Sequence, residues 1–86
     1  MAYYKVTFKA SVAKDLKRLD RLAAHRVLRA VESLRENPFP ASSKKLIGSE
    51  HTFRIRVGDY RVIYILNQQG REIEIQRVRH RREVYL

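Results

Sequence analysis

Between Thr52 and Leu66 the chain alternates apolar and polar residues in two runs, separated only by Gly58-Asp59. A period of two sends successive side chains to opposite faces of a strand, and a two-residue loop joins antiparallel neighbours in a single register. If Gly58-Asp59 is that loop, Val57 pairs with Tyr60, Arg56 with Arg61, Ile55 with Val62, Arg54 with Ile63 and Phe53 with Tyr64. Directly paired residues share a face. One face then holds Phe53, Ile55, Val57, Tyr60, Val62 and Tyr64, an apolar seat for helices. The other holds Arg54, Arg56, Arg61, Ile63 and Ile65.

The rest of the chain supplies elements to pack on that hairpin. Tyr3 to Lys9 alternates with Tyr4, Val6 and Phe8 on one side, a half-buried strand. Ser11 is placed to cap a helix on which Val12, Leu16 and Leu19 recur at helical spacing, and Asp20 to cap a second, whose stripe is Ala23, Val27, Ala30, Val31 and Leu34. Asn37-Pro38-Phe39-Pro40 stops it, because proline lacks the amide donor and restrains the residue before it. Ala41 to His51 reads as a loop with a basic pair, Lys44-Lys45. After a turn at Asn67–Gly70, Arg71 to about Arg79 reads as a third hairpin strand. There Ile73 and Ile75 are in phase but Val78 is not, which a bulge or a twist between them would explain. The expected order is β-α-α-β-β-β. Strands and helices are segregated, which favours an α+β fold with a mainly antiparallel sheet and a helical hairpin on one face.

A chain of 86 residues has room for one domain, residues 1–86, and its 44% hydrophobic content suffices for one core. Stability of about 5 kcal/mol is expected at this size. Without cysteine there is no disulfide framework and no thiolate zinc site. The N-terminus has no signal-peptide pattern, and no stretch approaches the roughly 18 apolar residues of a membrane span. The expectation is a soluble cytoplasmic protein that does not engage a membrane.

Nineteen Lys and Arg against nine Asp and Glu give a formal net charge of +10, and thirteen of the nineteen are arginine. The guanidinium fork suits phosphate oxygens, so the bias points to nucleic acid or an acidic protein partner. The expected Arg56–Arg61 pair sharpens this. Like charges directly opposite cost roughly a few tenths of a kcal/mol to 1 kcal/mol, which a phosphate held between them would reverse. The bland alternative is a solvated face with Glu72, Glu74 and Glu83 as neighbours. The tail adds Arg77, Arg79, Arg81 and Arg82, then Tyr85. Guanidinium groups beside an aromatic ring suit RNA, although Tyr85 could equally cap the core above a charged fringe. Of three histidines, His25 falls among helix-surface residues and His51 in a loop, whereas His80 lies in the basic tail and could move a proton near neutral pH. Nothing has metal-ligand spacing, and there is no Gly-rich phosphate loop or nucleophile motif, so no metal or cofactor is expected.

The run Phe53-Arg54-Ile55-Arg56-Val57-Gly58-Asp59-Tyr60-Arg61-Val62-Ile63-Tyr64 resembles the central hairpin of RelE-type toxins. Val78-Arg79-His80-Arg81-Arg82-Glu83-Val84-Tyr85 resembles their C-terminal motif, and Asn37-Pro38-Phe39-Pro40 with Lys44-Lys45-Leu46 is similar to a further family segment. The likeness extends over nearly the whole chain and is specific for the RelE/ParE superfamily. It implies a toxin of a type II toxin–antitoxin system, an endoribonuclease that cuts messenger RNA on the ribosome, and a hetero-oligomer with a RelB-like antitoxin. It further implies metal-free attack of a ribose 2′-hydroxyl on the adjacent phosphate. Such chemistry needs a base, cations on the phosphate and an acid at the leaving oxygen. By resemblance, Arg61 and Arg81 stabilise the phosphate and Tyr85 positions the 2′-hydroxyl or takes its proton, with His80 the other candidate base. Arg54, Arg56, Arg79, Arg82, Lys44 and Lys45 are the expected RNA contacts. A free tyrosine has a pKa near ~10, which surrounding arginines would lower. The competing functions are ParE-like gyrase inhibition and a non-catalytic nucleic-acid-binding module.

Overall fold

The computed structural model describes residues 3–81. Strand β1 (Lys5–Phe8) leads into helices α1 (Val12–Lys17) and α2 (Arg21–Ser33), followed by strands β2 (Lys44–Lys45), β3 (Thr52–Val57), β4 (Tyr60–Asn67) and β5 (Glu72–His80). The five strands form one sheet in the order β1-β5-β4-β3-β2. All pairs are antiparallel except β1 with β5, which runs parallel with Lys5 opposite Glu72 and Phe8 opposite Ile75. The α+β architecture is the expected one.

The hairpin has the register deduced from the alternation, from Val57 opposite Tyr60 to Phe53 opposite Tyr64. Gly58 sits at φ 59°, a left-handed conformation in which glycine escapes the steric penalty that a side chain would incur there. The bulge is also present. Ile63 faces Arg77 while Tyr64 faces Ile75, so Gln76 is left over on β5, and Val78 returns to the core face opposite Val62. Val62, Tyr64, Ile73 and Ile75 are fully buried and meet Val12, Val27, Val31 and Leu34 from the helical layer. Each such aliphatic side chain contributes roughly 1.5–3 kcal/mol when fully buried, which pins the helices to this face.

Three local expectations need correction. The 41–51 loop contains β2, with Lys44 opposite Arg54 and Lys45 opposite Phe53. Two residues are too few to show a period, but their backbone covers the outer edge of β3, which would otherwise offer unpaired amides. Strand β1 is shorter than the alternating run Tyr3–Lys9 and loses its apolar seat at Phe8, which is 46% exposed. Ser11 does not cap α1: it has helical angles, and its buried hydroxyl has no partner. Asp20 does cap α2, its Oδ1 accepting the Ala23 N–H at 2.8 Å.

The proline segment after α2 is fastened to the sheet. The Tyr64 hydroxyl donates to the Pro38 carbonyl at 2.8 Å, and the Phe39 ring meets Phe53 edge-on, which in turn stacks on Tyr64. Burial pushes the Tyr64 pKa up to about 12. Among the described residues no helix is long and apolar enough to cross a membrane.

Candidate functional site

The sheet face away from the helices gathers the arginines into two adjacent rows. In one, Arg56, Arg61 and Arg79 lie opposite one another across β3, β4 and β5. In the next, two residues along each strand, Lys44, Arg54, Ile63 and Arg77 follow in register from β2 to β5. Neighbouring strands are about 4.8 Å apart and alternate residues of one strand about 6.7 Å, so the central cations fall within a patch one or two nucleotides wide.

Two of these side chains are not solvated. Arg54 is 9% exposed and Arg61 7%. Among the described residues neither has a carboxylate within ion-pair distance. Arg61 Nη1 donates to the carbonyls of Tyr60 at 3.1 Å and Gly58 at 3.4 Å, and its buried Nε has no acceptor. A buried charge without a counter-ion is costly, because the protein must replace its hydration with something of equal strength. Of the three glutamates that could have neutralised the face, Glu83 lies outside the described residues and the other two sit away from Arg54 and Arg61. Glu74 is opposite Ile65 and Glu72 opposite Asn67, at the far end of the sheet, and the Glu74 carboxylate accepts from Gln76. The face therefore has the electrostatics of an anion site.

The other candidate residues divide. The Arg81 N–H donates to the Asp59 carbonyl at 2.7 Å, so the tail is tied to the same turn whose Gly58 carbonyl receives Arg61. Arg81 Nε lies 4.0 Å from Asp59 Oδ1, both side chains being mostly exposed. Arg61, Arg79 and Arg81 thus converge at one end of the sheet, with the exposed Arg56 beside them. Lys44 shares a face with Arg54, but Lys45 shares one with Phe53 and lies 3.6 Å from Glu50. His80 is opposite Tyr60 and meets its ring edge-on at 5.5 Å between centroids. That is the helix side of the sheet, so the structure does not bring His80 into the arginine rows. Arg82 and Tyr85 lie outside the described residues.

One residue of consequence escapes the sequence reasoning. Asp15 is 3% exposed, with Oδ2 accepting the Val78 N–H at 2.9 Å and lying 3.4 Å from Arg77 Nε. The available signal is its position. It stands three residues after Val12 and four before Leu19, an acid on the apolar stripe of its helix.

The family model for the ParE toxin of the type II toxin–antitoxin system parDE matches residues 6–85. Toxin RelE3 of Methanocaldococcus jannaschii is 33% identical over 85 residues, 94% of each chain. A chain of the archaeal RelE–RelB complex from Pyrococcus horikoshii superposes with a TM-score of 0.83 at 31% identity, covering 94% of this chain and 98% of that one. One from the toxin–antitoxin complex RelBE2 of Mycobacterium tuberculosis gives 0.79 at 28% identity, covering 92% and 99%.

Proposed function

Because the chain belongs to the ParE toxin family of type II toxin–antitoxin systems, within the RelE/ParE superfamily, we propose that its arginine face is the active site of a messenger-RNA endonuclease working on the ribosome. The observation behind this is the pair of buried arginines, Arg54 and Arg61, held without a carboxylate partner among the described residues. A phosphodiester entering the face would supply the missing counter-charge. Arg61 and Arg81 are assigned to its non-bridging oxygens, where negative charge grows as the ribose 2′-oxygen attacks. Arg54, Arg56 and Arg79 are assigned to the phosphates of the bound strand, with Lys44 at the margin and Arg82 from the tail.

In the proposed step the 2′-oxygen forms a bond to phosphorus as it loses its proton. The bond to the 5′-oxygen breaks, and that oxygen takes up a proton. The products are a 2′,3′-cyclic phosphate and a free 5′-hydroxyl. Tyr85 is the better candidate for the base, since His80 packs against Tyr60 on the other side of the sheet. The guanidinium groups supply the cationic stabilisation, so no metal or cofactor is assigned. The ribosome's part is to hold the message bent for in-line attack. A RelB-like antitoxin with acidic and amphipathic segments is the proposed partner in the cytoplasm, in keeping with solved relatives that are RelE–RelB and RelBE2 complexes.

Primer-extension mapping of messages in translating extracts tests this. Breaks within codons on adding the protein are expected, and naked RNA at the same low concentration should stay intact. Inhibition of translation without breaks would overturn the nuclease reading. A second reading rests on the ParE name of the matched family: gyrase inhibition by protein contact. A supercoiling assay run alongside separates the two.

A further inference from the structure

We propose that Asp15 is a positioning residue that holds the C-terminal half of β5, and with it Arg79 and Arg81, in place against Arg61; this rests on the reading of the arginine face as an active site. The parallel ladder from β1 reaches only as far as Ile75, whose carbonyl takes the Lys9 N–H at 2.9 Å. Beyond it comes the bulge at Gln76, and from there, among the described residues, β5 has no strand on its outer side. A strand end bearing several like charges, with one open edge and a bulge at its root, is poorly held. Each buried edge amide also needs an acceptor.

Asp15 supplies one. It reaches from α1 across 63 residues of sequence to the Val78 N–H. A carboxylate acceptor makes this bond charge-assisted, roughly twice as strong as an amide–carbonyl bond. Val78 immediately precedes Arg79, which stands opposite Arg61, and lies three residues before Arg81, which is tied to the hairpin turn. The strand end is therefore clamped on both sides, by Asp15 at the outer edge and by β4 at the inner. The same carboxylate draws in Arg77, whose Nε lies 3.4 Å away although Arg77 is paired with Ile63 on the arginine face. Asp15 thus also draws one cation toward the sheet edge and leaves the reacting phosphate to Arg61 and Arg81. Asp15 is the one acid buried among the described residues.

The experiment compares wild type, Asp15→Asn, Asp15→Ala and a core variant on α2, Val31→Ala, with full-length protein. Asparagine keeps an acceptor for Val78 and alanine does not. Amide exchange is read at Val78 and Arg79, and single-turnover cleavage on programmed ribosomes is read beside thermal stability. In Asp15→Ala, exchange at both amides should rise about tenfold or more. Its cleavage rate should fall by about 100-fold, while half-saturation by ribosomes stays within about threefold. Asp15→Asn should recover most of both. Val31→Ala should cut at close to the wild-type rate despite a similar loss of melting temperature. Equal rates for Asp15→Ala and wild type, a Val31→Ala rate as low as that of Asp15→Ala, or no recovery in Asp15→Asn would each overturn the inference. A wild-type protein that does not cut would instead overturn the active-site reading itself, a result visible before any variant is compared.

Discussion

Arg54→Met should make the protein more stable and a poorer ligand for RNA. Arg54 is only 9% exposed, has no ion-pair partner among the described residues, and stands directly opposite Lys44. Methionine has a similar length, follows the same path between β2 and β4, and has no charge to desolvate. Exchanging even a buried ion pair for apolar side chains of similar volume is often neutral or gains about 1–4 kcal/mol, and an unpaired charge has no Coulombic attraction to lose. Removing the opposed cation pair adds roughly a few tenths of a kcal/mol to 1 kcal/mol. Because Arg54 belongs to a face already open to ligand, the lower half of that range applies, about 1–3 kcal/mol. At this chain length each kcal/mol moves the melting temperature by about 4–8 °C, so a rise of at least about 4 °C is expected. Binding of a short single-stranded RNA should weaken at the same time, and the slope of log K against log salt should fall by about one phosphate's worth. Thermal melts and a fluorescence-anisotropy salt series on the same preparations measure both. A variant that melts lower than wild type would refute the reasoning, because it would mean that the fold itself satisfies the guanidinium.

Two further predictions concern the scaffold. Tyr64 has its pKa raised by burial to about 12, so its contribution to stability is complete below the unfolded value near ~10 and is lost as pH rises toward 12. Between pH 9 and 11.5 wild type should lose about 2 kcal/mol more than Tyr64→Phe in chemical denaturation, and parallel pH profiles for the two would contradict this. Asp20→Ala removes the cap on α2 and should cost about 1 kcal/mol in the same assay with m unchanged, whereas no change would show that the Asp20–Ala23 bond contributes nothing net.

The hairpin was legible because two independent constraints met there. Alternation fixed which residues share a face, and Gly58-Asp59 fixed their register, so the Arg56–Arg61 pairing needed no other information. The bulge was legible for the same reason: Val78 breaks the phase set by Ile73 and Ile75, and one extra residue repairs it. That parity also carries His80 to the helix side two residues later, a consequence available from the sequence but overshadowed by the basic character of the tail. The depth of Arg54 and Arg61 was not legible, since composition marks arginine as a surface residue and only the neighbouring strands bury it. Strand β2 left no periodic trace in two residues, and its register is what parts Lys44 from Lys45. Asp15 was hidden by distance, its partner lying 63 residues away. The Ser11 expectation failed on backbone angles: Ser11 is already helical, so its side chain is not turned to accept from the first turn.

Single-turnover cleavage of a programmed message by ribosome-bound wild type, Arg61→Ala, Arg81→Ala, Tyr85→Phe and His80→Gln tests the active-site reading most directly. Loss of a contact to the developing phosphate charge commonly costs ~2.7–4 kcal/mol, so both arginine variants should cut about 100- to 1,000-fold more slowly with ribosome affinity little changed. Tyr85→Phe should be slow and lose the rise in rate at high pH, and His80→Gln should stay close to wild type. Near wild-type rates in both arginine variants would contradict the account and leave the arginine face as a binding surface.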